Sequence, residues 1–190
     1  MNIEAWRRGY TDRRAANLLG IDPSLTGTAW CWLGRKGRII DQARIDTAKL
    51  RGAERLCHIE HELSQIADMD LRLIAIEGYS FGSQGRAVFQ IGELGGVLRR
   101  LFFVLKIPCL EIPPAVLKKF ATGKGNARKD EVMLNVYRRW GVECGNSDQA
   151  DAYVLARIGW TLVTGAEADL TAEQMAALVK LREPFKLLGV

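Results

Sequence analysis

The segment LLGIDPSLTGTAWCWLGRKGRIIDQARI (18–45) decides the architecture. LLGID (18–22) is a short apolar run ending in Asp-Pro, which reads as a buried strand. GTAWCWL (27–33) is a second strand. GRKG (34–37) signals a tight turn, and RIIDQARI (38–45) returns as a third strand, so the domain begins with a meander. Outward from it, RGAERLCHIEHELSQIADM (51–69) carries apolar residues at 56, 59, 63 and 66, a helical period. LRLIAIE (71–77) is a strand buried on both faces from Leu73 to Ile76. GYSFGSQGR (78–86) is a Gly-rich loop, AVFQIGELGGVLRRLFFVL (87–105) a long helix and PCLEIP (108–113) a short strand. Helices are predicted over 113–121, 127–141 and 147–162. Thr171 and Gln174 form a capping box for a last one, TAEQMAALVKLRE (171–183). A meander followed by strands alternating with helices predicts an α/β protein: a mixed five-stranded sheet with helices on both faces. No linker divides the chain. Residues 17–190 are predicted to form a single domain with a C-terminal helix, and residues 1–16 an N-terminal arm.

Composition excludes several classes. The chain has 190 residues, enough for one domain with a real core. The longest apolar run, VLRRLFFVLKIPCL, is broken by Arg99, Arg100 and Lys106 and falls short of the roughly 18 residues of a membrane span, so no membrane association is predicted. MNIEAWRRGYTDRRAAN lacks the apolar stretch of a signal peptide, and Glu4 and Asp12 argue against a transit peptide. The four cysteines are far apart and form no CxxC pair, which predicts reduced, mostly buried thiols and a cytoplasmic location. Cys57, His58 and His61 read as a solvated helix face beside Glu60 and Glu62 rather than a zinc site, which needs further ligands. The net charge is +5, and the segment from Lys118 to Arg139 alone carries a net +5, because Lys118, Lys119, Lys124, Arg128, Lys129, Arg138 and Arg139 face only Asp130 and Glu131. Such a patch predicts an anionic partner, most commonly nucleic acid.

The acids are placed less conventionally. Asp22 and Glu77 each follow four apolar residues, so each ends a buried strand. If those strands are parallel neighbours, the two carboxylates lie side by side. In SDQADAYVLARIGWTL (147–162), Asp148, Asp151, Leu155, Ile158 and Leu162 fall on one helical stripe, with Tyr153 and Arg157 opposite. Capping by Asn146 or Ser147 puts both acids near the helix start, where the dipole favours negative charge. That accounts well for Asp148 and less well for Asp151. Four acids in one place work against stability, since two unit charges 4 Å apart repel by roughly 4 kcal/mol at an effective dielectric of about 20. Oxygen-only ligands at a sheet edge suit Mg²⁺, with Mn²⁺ as substitute. Two such ions can drive in-line displacement at a phosphodiester.

IDPSLTGTAW, IAIEGYSF and DQADAYVLA together resemble the three motifs of the RuvC Holliday-junction resolvases, members of the ribonuclease H-like superfamily. The look is closest to phage RuvC-like enzymes, and the resemblance spans about residues 17 to 163. It implies a ribonuclease H-like fold, with Asp22, Glu77, Asp148 and Asp151 as catalytic metal ligands. VLKKFATGKGNARKDEV resembles the family's basic stretch, where Lys118 and Lys129 match lysines near the scissile phosphate. Lys124, Arg128 and the GKG turn with Asn126 are further candidate DNA contacts, as is Arg86, which otherwise solvates a helix start. Tyr79 and Phe81 either stack on bases at a branch point or pack on the domain surface. Gly92, Gly95 and Gly96 imply close approach of another element, and the resemblance favours a homodimer interface.

The expectation is a metal-dependent endonuclease that cuts four-way DNA junctions symmetrically as a homodimer. The alternatives are a broader branched-DNA or RNA nuclease, a non-catalytic branched-DNA-binding protein, and a phosphotransferase of the actin-like fold, since DPSLTGTA resembles a phosphate loop. The intact acids argue against the binder. The late acid pair argues against the phosphotransferase.

Overall fold

The computed structural model describes residues 17–67, 71–79, 86–165 and 170–189. The predicted arm, Phe81 and the side chain of Arg86 lie outside the described residues. Five strands form one sheet in the order β3-β2-β1-β4-β5. They are β1 (Leu18–Asp22), β2 (Gly27–Leu33), β3 (Ile39–Asp46), β4 (Leu73–Glu77) and β5 (Cys109–Ile112). The first three pair antiparallel, as a meander must; β1 runs parallel to β4, and β4 parallel to β5.

Strand alternation divides the core. Leu19, Ile21, Ile74 and Ile76 pack beneath α1 (Gly52–Ala67) and α2 (Arg86–Val104), against Ile59, Leu63, Leu94, Leu98 and Phe102. Leu18, Leu73 and Ala75 face the other way, toward α3 (Pro114–Thr122), α4 (Lys129–Trp140) and α5 (Ser147–Thr164). A period of two then directs Asp22 and Glu77, the next residues in phase with Leu18 and Leu73, to the α5 side. With Ile21 opposite Ile76, the two acids leave the sheet together at one edge.

Helix α5 lies directly on β1. A Cβ built on Gly20 would sit 2.1 Å from the carbonyl oxygen of Ala152 and 2.4 Å from the amide nitrogen of Ala156. Only a glycine in the strand, opposite alanines in the helix, permits this backbone contact.

Three expectations are corrected. The spacing at 147–162 predicts one inward stripe, yet Tyr153 and Arg157 are only 2% and 9% exposed, so α5 is buried all round. The far side is covered by Trp140 of α4, edge-on to Tyr153 at 5.6 Å, and by the 35–37 turn, whose Gly37 carbonyl accepts from Arg157. The predicted last helix is two short ones, α6 (Ala172–Val179) and α7 (Arg182–Leu187). Pro184 has no amide proton for the Lys180 carbonyl, so one continuous helix cannot run through it, while the first turn of a new helix accepts it. The Thr171–Gln174 capping box is present. Of the thiols, all free, Cys31 is buried, Cys109 and Cys144 are half-buried and Cys57 is exposed, so they are less buried than predicted. Among the described residues no helix is long and apolar enough to cross a membrane.

Candidate active site

Asp22 and Glu77 arrive from adjacent strand ends, and Asp148 and Asp151 from the first turns of α5. Asn146 fixes where that helix begins: its side chain accepts the Gln149 amide at 2.9 Å, which places Asp148 in the first turn. The four acids lie close enough to perturb one another. Burial, then the charge of Glu77 and a hydrogen bond with it, then Asp151 and Asp148, raise Asp22 well above the ordinary carboxylate range. Burial also raises Glu77, against its hydrogen bond to Asp22 and the charges of Lys129 and Lys118. Burial followed by Glu77 pushes Asp151 up to about 7. Each of these two carboxyls perturbs the other, so Asp22 and Glu77 titrate together rather than independently.

Asp148 is held differently. Lys129, the first residue of α4, donates to Asp148 Oδ1 at 3.0 Å, and Arg44 Nε stands 3.7 Å from Oδ2. On Lys129, burial lowers the pKa but is outweighed by Asp148 and then by Asp22 and Asp151, so it is raised. Lys118 of α3 acts on both Glu77 and Asp151. The left-handed C-cap Gly123 (φ 83°) ends α3 and turns the chain back, so that α3 and α4 bring Lys118 and Lys129 to the same acids.

Among the described residues no three His, Cys, Asp or Glu side chains stand in a ready-made metal cage. Asp148 is turned toward Lys129 and Arg44. The donor set nevertheless suits a hard divalent cation. It is all carboxylate oxygen, the chemistry such ions prefer.

Lys124 lies in the turn after α3. Arg128 precedes α4 and pairs with Asp130. Tyr79 takes the packed reading of the aromatic loop: its hydroxyl donates to the Gly92 carbonyl at 3.2 Å and accepts from Arg99. Among the described residues, Gly95 is closely approached by Tyr79, whereas a Cβ on Gly92 or Gly96 would meet nothing within 4 Å. His58 is half-buried and His61 exposed on α1, in keeping with a solvated face. Sequence reasoning missed Arg44. It lies on β3 and occupies the space a side chain on Gly27 would need, its Cζ 1.9 Å from that missing Cβ. Only the β2–β3 register, which pairs Ala29 with Arg44, brings it to the acids.

A 3-2-1-4-5 mixed sheet with acids at the tips of its parallel central strands, faced by acids on the helix that covers them, defines the ribonuclease H-like class. The same fold is seen in T. thermophilus RuvC in complex with Holliday junction substrate (TM-score 0.69, 24% identity, 79% of this chain and 96% of that one). It is seen also in the Fowlpox virus resolvase with substrate Holliday junction DNA (TM-score 0.54, 10% identity, 80% and 99%). The family model for crossover junction endodeoxyribonuclease RuvC matches residues 18–158. A crossover junction endodeoxyribonuclease RuvC from Synechococcus sp. (strain WH7803) is 32% identical over 151 residues, covering 75% of this chain and 97% of the relative. The chain belongs to the RuvC family of crossover junction endodeoxyribonucleases, divalent-metal-dependent nucleases.

Proposed function

We propose that this protein is a Mg²⁺-dependent endonuclease, with Mn²⁺ as substitute, that cuts four-way DNA junctions symmetrically as a homodimer in the cytoplasm. Residues 17–190 act as one catalytic unit, with residues 1–16 as an appended arm. One observation carries the reading: Glu77, Asp151, Lys118 and Lys129 line one cleft, with Asp22 at the adjacent strand end and Asp148 bonded to Lys129 at 3.0 Å. A protein that only bound DNA would be hindered by buried carboxylates beside phosphate.

The four acids are the proposed metal ligands. Divalent ions held there would lower the pKa of an attacking water and stabilise the leaving oxygen of the phosphodiester. The chain supplies the rest. Lys118 and Lys129 attract the scissile phosphate, and Lys129 counters the charge of Asp148 until the site fills. Lys124, Arg128 and Arg86 track the strand backbone, whose contacts fix position rather than sequence. The homodimer is supported by α2, where Phe89 is 77% and Phe103 84% exposed and Gly92 and Gly96 leave open space between them. That stripe admits a second helix at close range.

The test is digestion of matched linear, three-way and four-way DNAs with and without Mg²⁺. Paired nicks in the four-way substrate alone, and only with metal, are expected. Equal cutting of all branched substrates would favour a broader nuclease, and binding without cutting would end the catalytic reading.

A further inference from the structure

The cleft beside the acids has a wall that the chemistry does not account for. About 560 Å³ of space runs from Glu77 and Asp151 to α2, and its far side is Tyr79, Gly95 and Arg99. Tyr79 follows Glu77 by two residues, yet it is not free. Its hydroxyl reaches Gly92 and Arg99, and the Arg99 guanidinium lies 4.8 Å from the ring centroid. Arg99 also donates to Glu111 at 3.1 Å. Glu111 belongs to β5, and in register it pairs with Ile76, directly before Glu77. The next β5 residue, Ile112, accepts the Gly78 amide at 2.9 Å. The ring fits only because position 95 is glycine: a Cβ there would stand 2.2 Å from the phenolic oxygen.

Resting on the nuclease reading above, we infer that Arg99 is a positioning residue, clamping Tyr79 against Gly95 and tying α2 to β5 so that the chain leaves Glu77 in one fixed direction. The physical need is clear. Glu77 ends its strand, and the residues after a strand end are free to swing unless something outside the sheet holds them. One guanidinium bonded to a phenol on one side and a carboxylate on the other supplies that hold from two directions. Arg's planar fork can satisfy both partners at once, which the single ammonium of lysine does less well. Tyr79 is thereby a wall of the cleft rather than a wedge into DNA.

The experiment compares wild type, Tyr79→Phe, Arg99→Ala, Arg99→Lys and the Tyr79→Phe/Arg99→Ala pair. Three quantities are measured: single-turnover junction cleavage in Mg²⁺, junction affinity without metal, and hydrogen exchange at the Gly78 amide. Tyr79→Phe and Arg99→Ala should each slow cleavage about tenfold, with affinity changed less than twofold. The double variant should be no slower than the slower single, and Arg99→Lys should fall between wild type and Arg99→Ala. Exchange at Gly78 should rise at least tenfold in both single variants and stay unchanged along β1. Multiplicative losses, or a loss confined to junction affinity, would overturn the clamp by making the two residues independent DNA contacts. Unchanged exchange at Gly78 would overturn it whether or not the wild-type protein cuts junctions, and so separates this inference from the nuclease reading. Tyr79→Phe removes one oxygen and keeps the ring, so it carries the test even where Arg99→Ala fails to fold.

Discussion

Lys129 and Asp148 face each other across 3.0 Å, with Lys129 at the first position of α4 and Asp148 in the first turn of α5. Their side chains are 62% and 24% exposed. In metal-free protein this pair stands where a divalent ion would compete with the ammonium for the carboxylate. An ion pair this open contributes at most about 1 kcal/mol to stability. Lys129→Ala should therefore change thermal stability by no more than a few degrees while slowing cleavage at least tenfold. A variant that melts early, or that cuts normally, removes Lys129 from the site.

Asp148→Asn separates charge from shape. It deletes one of four repelling acids but also the partner of Lys129 and Arg44, and it keeps the side-chain volume, so metal-free protein should stay within about 1 kcal/mol of wild type. Cleavage should fall by about 10³ or more, the scale of losing a group that stabilises the transition state. Near wild-type rates in saturating Mg²⁺ would refute the ligand assignment.

Stability should fall with rising pH in the absence of divalent ions. Asp22, Glu77 and Asp151 are all raised in the folded state, Asp151 to about 7 from 3.8. A group that binds its proton more tightly when folded stabilises the fold fully below its unfolded pKa and loses that contribution as pH climbs through the folded value. The window for Asp151 therefore runs from about pH 4 to just above 7. Melting in chelator at pH 5, 6, 7 and 8 should show the decline. Asp151→Asn should flatten it and add roughly 1–3 kcal/mol at pH 8, below the ceiling of about 1.4 kcal/mol per pKa unit because neighbours share the load. Mg²⁺ should restore the loss at pH 8 in wild type only.

The glycines of α2 give a clean test of assembly. A Cβ at Gly96 meets nothing within 4 Å among the described residues, so Gly96→Leu should fold normally. It should nevertheless block close approach of a second α2. Sedimentation should then report a monomer and junction cleavage should lose its paired nicks. A dimer of unchanged affinity would move the interface elsewhere.

The C-terminal helices are a structural addition beyond the residues matched to the family, and Gln174 secures them. The residue is 4% exposed, and its side chain donates to the Phe120 carbonyl at 2.7 Å and accepts the Thr171 amide at 3.0 Å. Gln174→Ala leaves a buried carbonyl unpaired and should cost about 1–3 kcal/mol. Denaturant titration should show the loss, with cleavage per folded molecule unchanged.

What the sequence reveals follows from how local each signal is. Strand tips at Asp22 and Glu77 are legible because four apolar residues precede each acid and strand alternation does the rest. The capping box at Thr171 is legible because its partners are three residues apart. Arg44 is not, because its approach to Asp148 depends on a hairpin register and on the space left by Gly27, neither of which marks the residue itself. The burial of Tyr153 and Arg157 is hidden for the same reason: Trp140 and Gly37, which cover them, come from distant turns of the chain. Tyr79 reads as a free loop aromatic until Gly95, sixteen positions on, is seen to make room for its hydroxyl.

The seating of α5 on Gly20 bears on how this enzyme can diverge. Since Ala152 and Ala156 touch the β1 main chain itself, the gap between Asp22 and Asp151 is gauged by peptide units, not by packing that drift can loosen. Most of the surface can change without disturbing that calibration. One added methyl group at position 20 would wedge the ruler open, so lineages keeping the chemistry should hold a bare hydrogen there long after the rest has become unrecognisable.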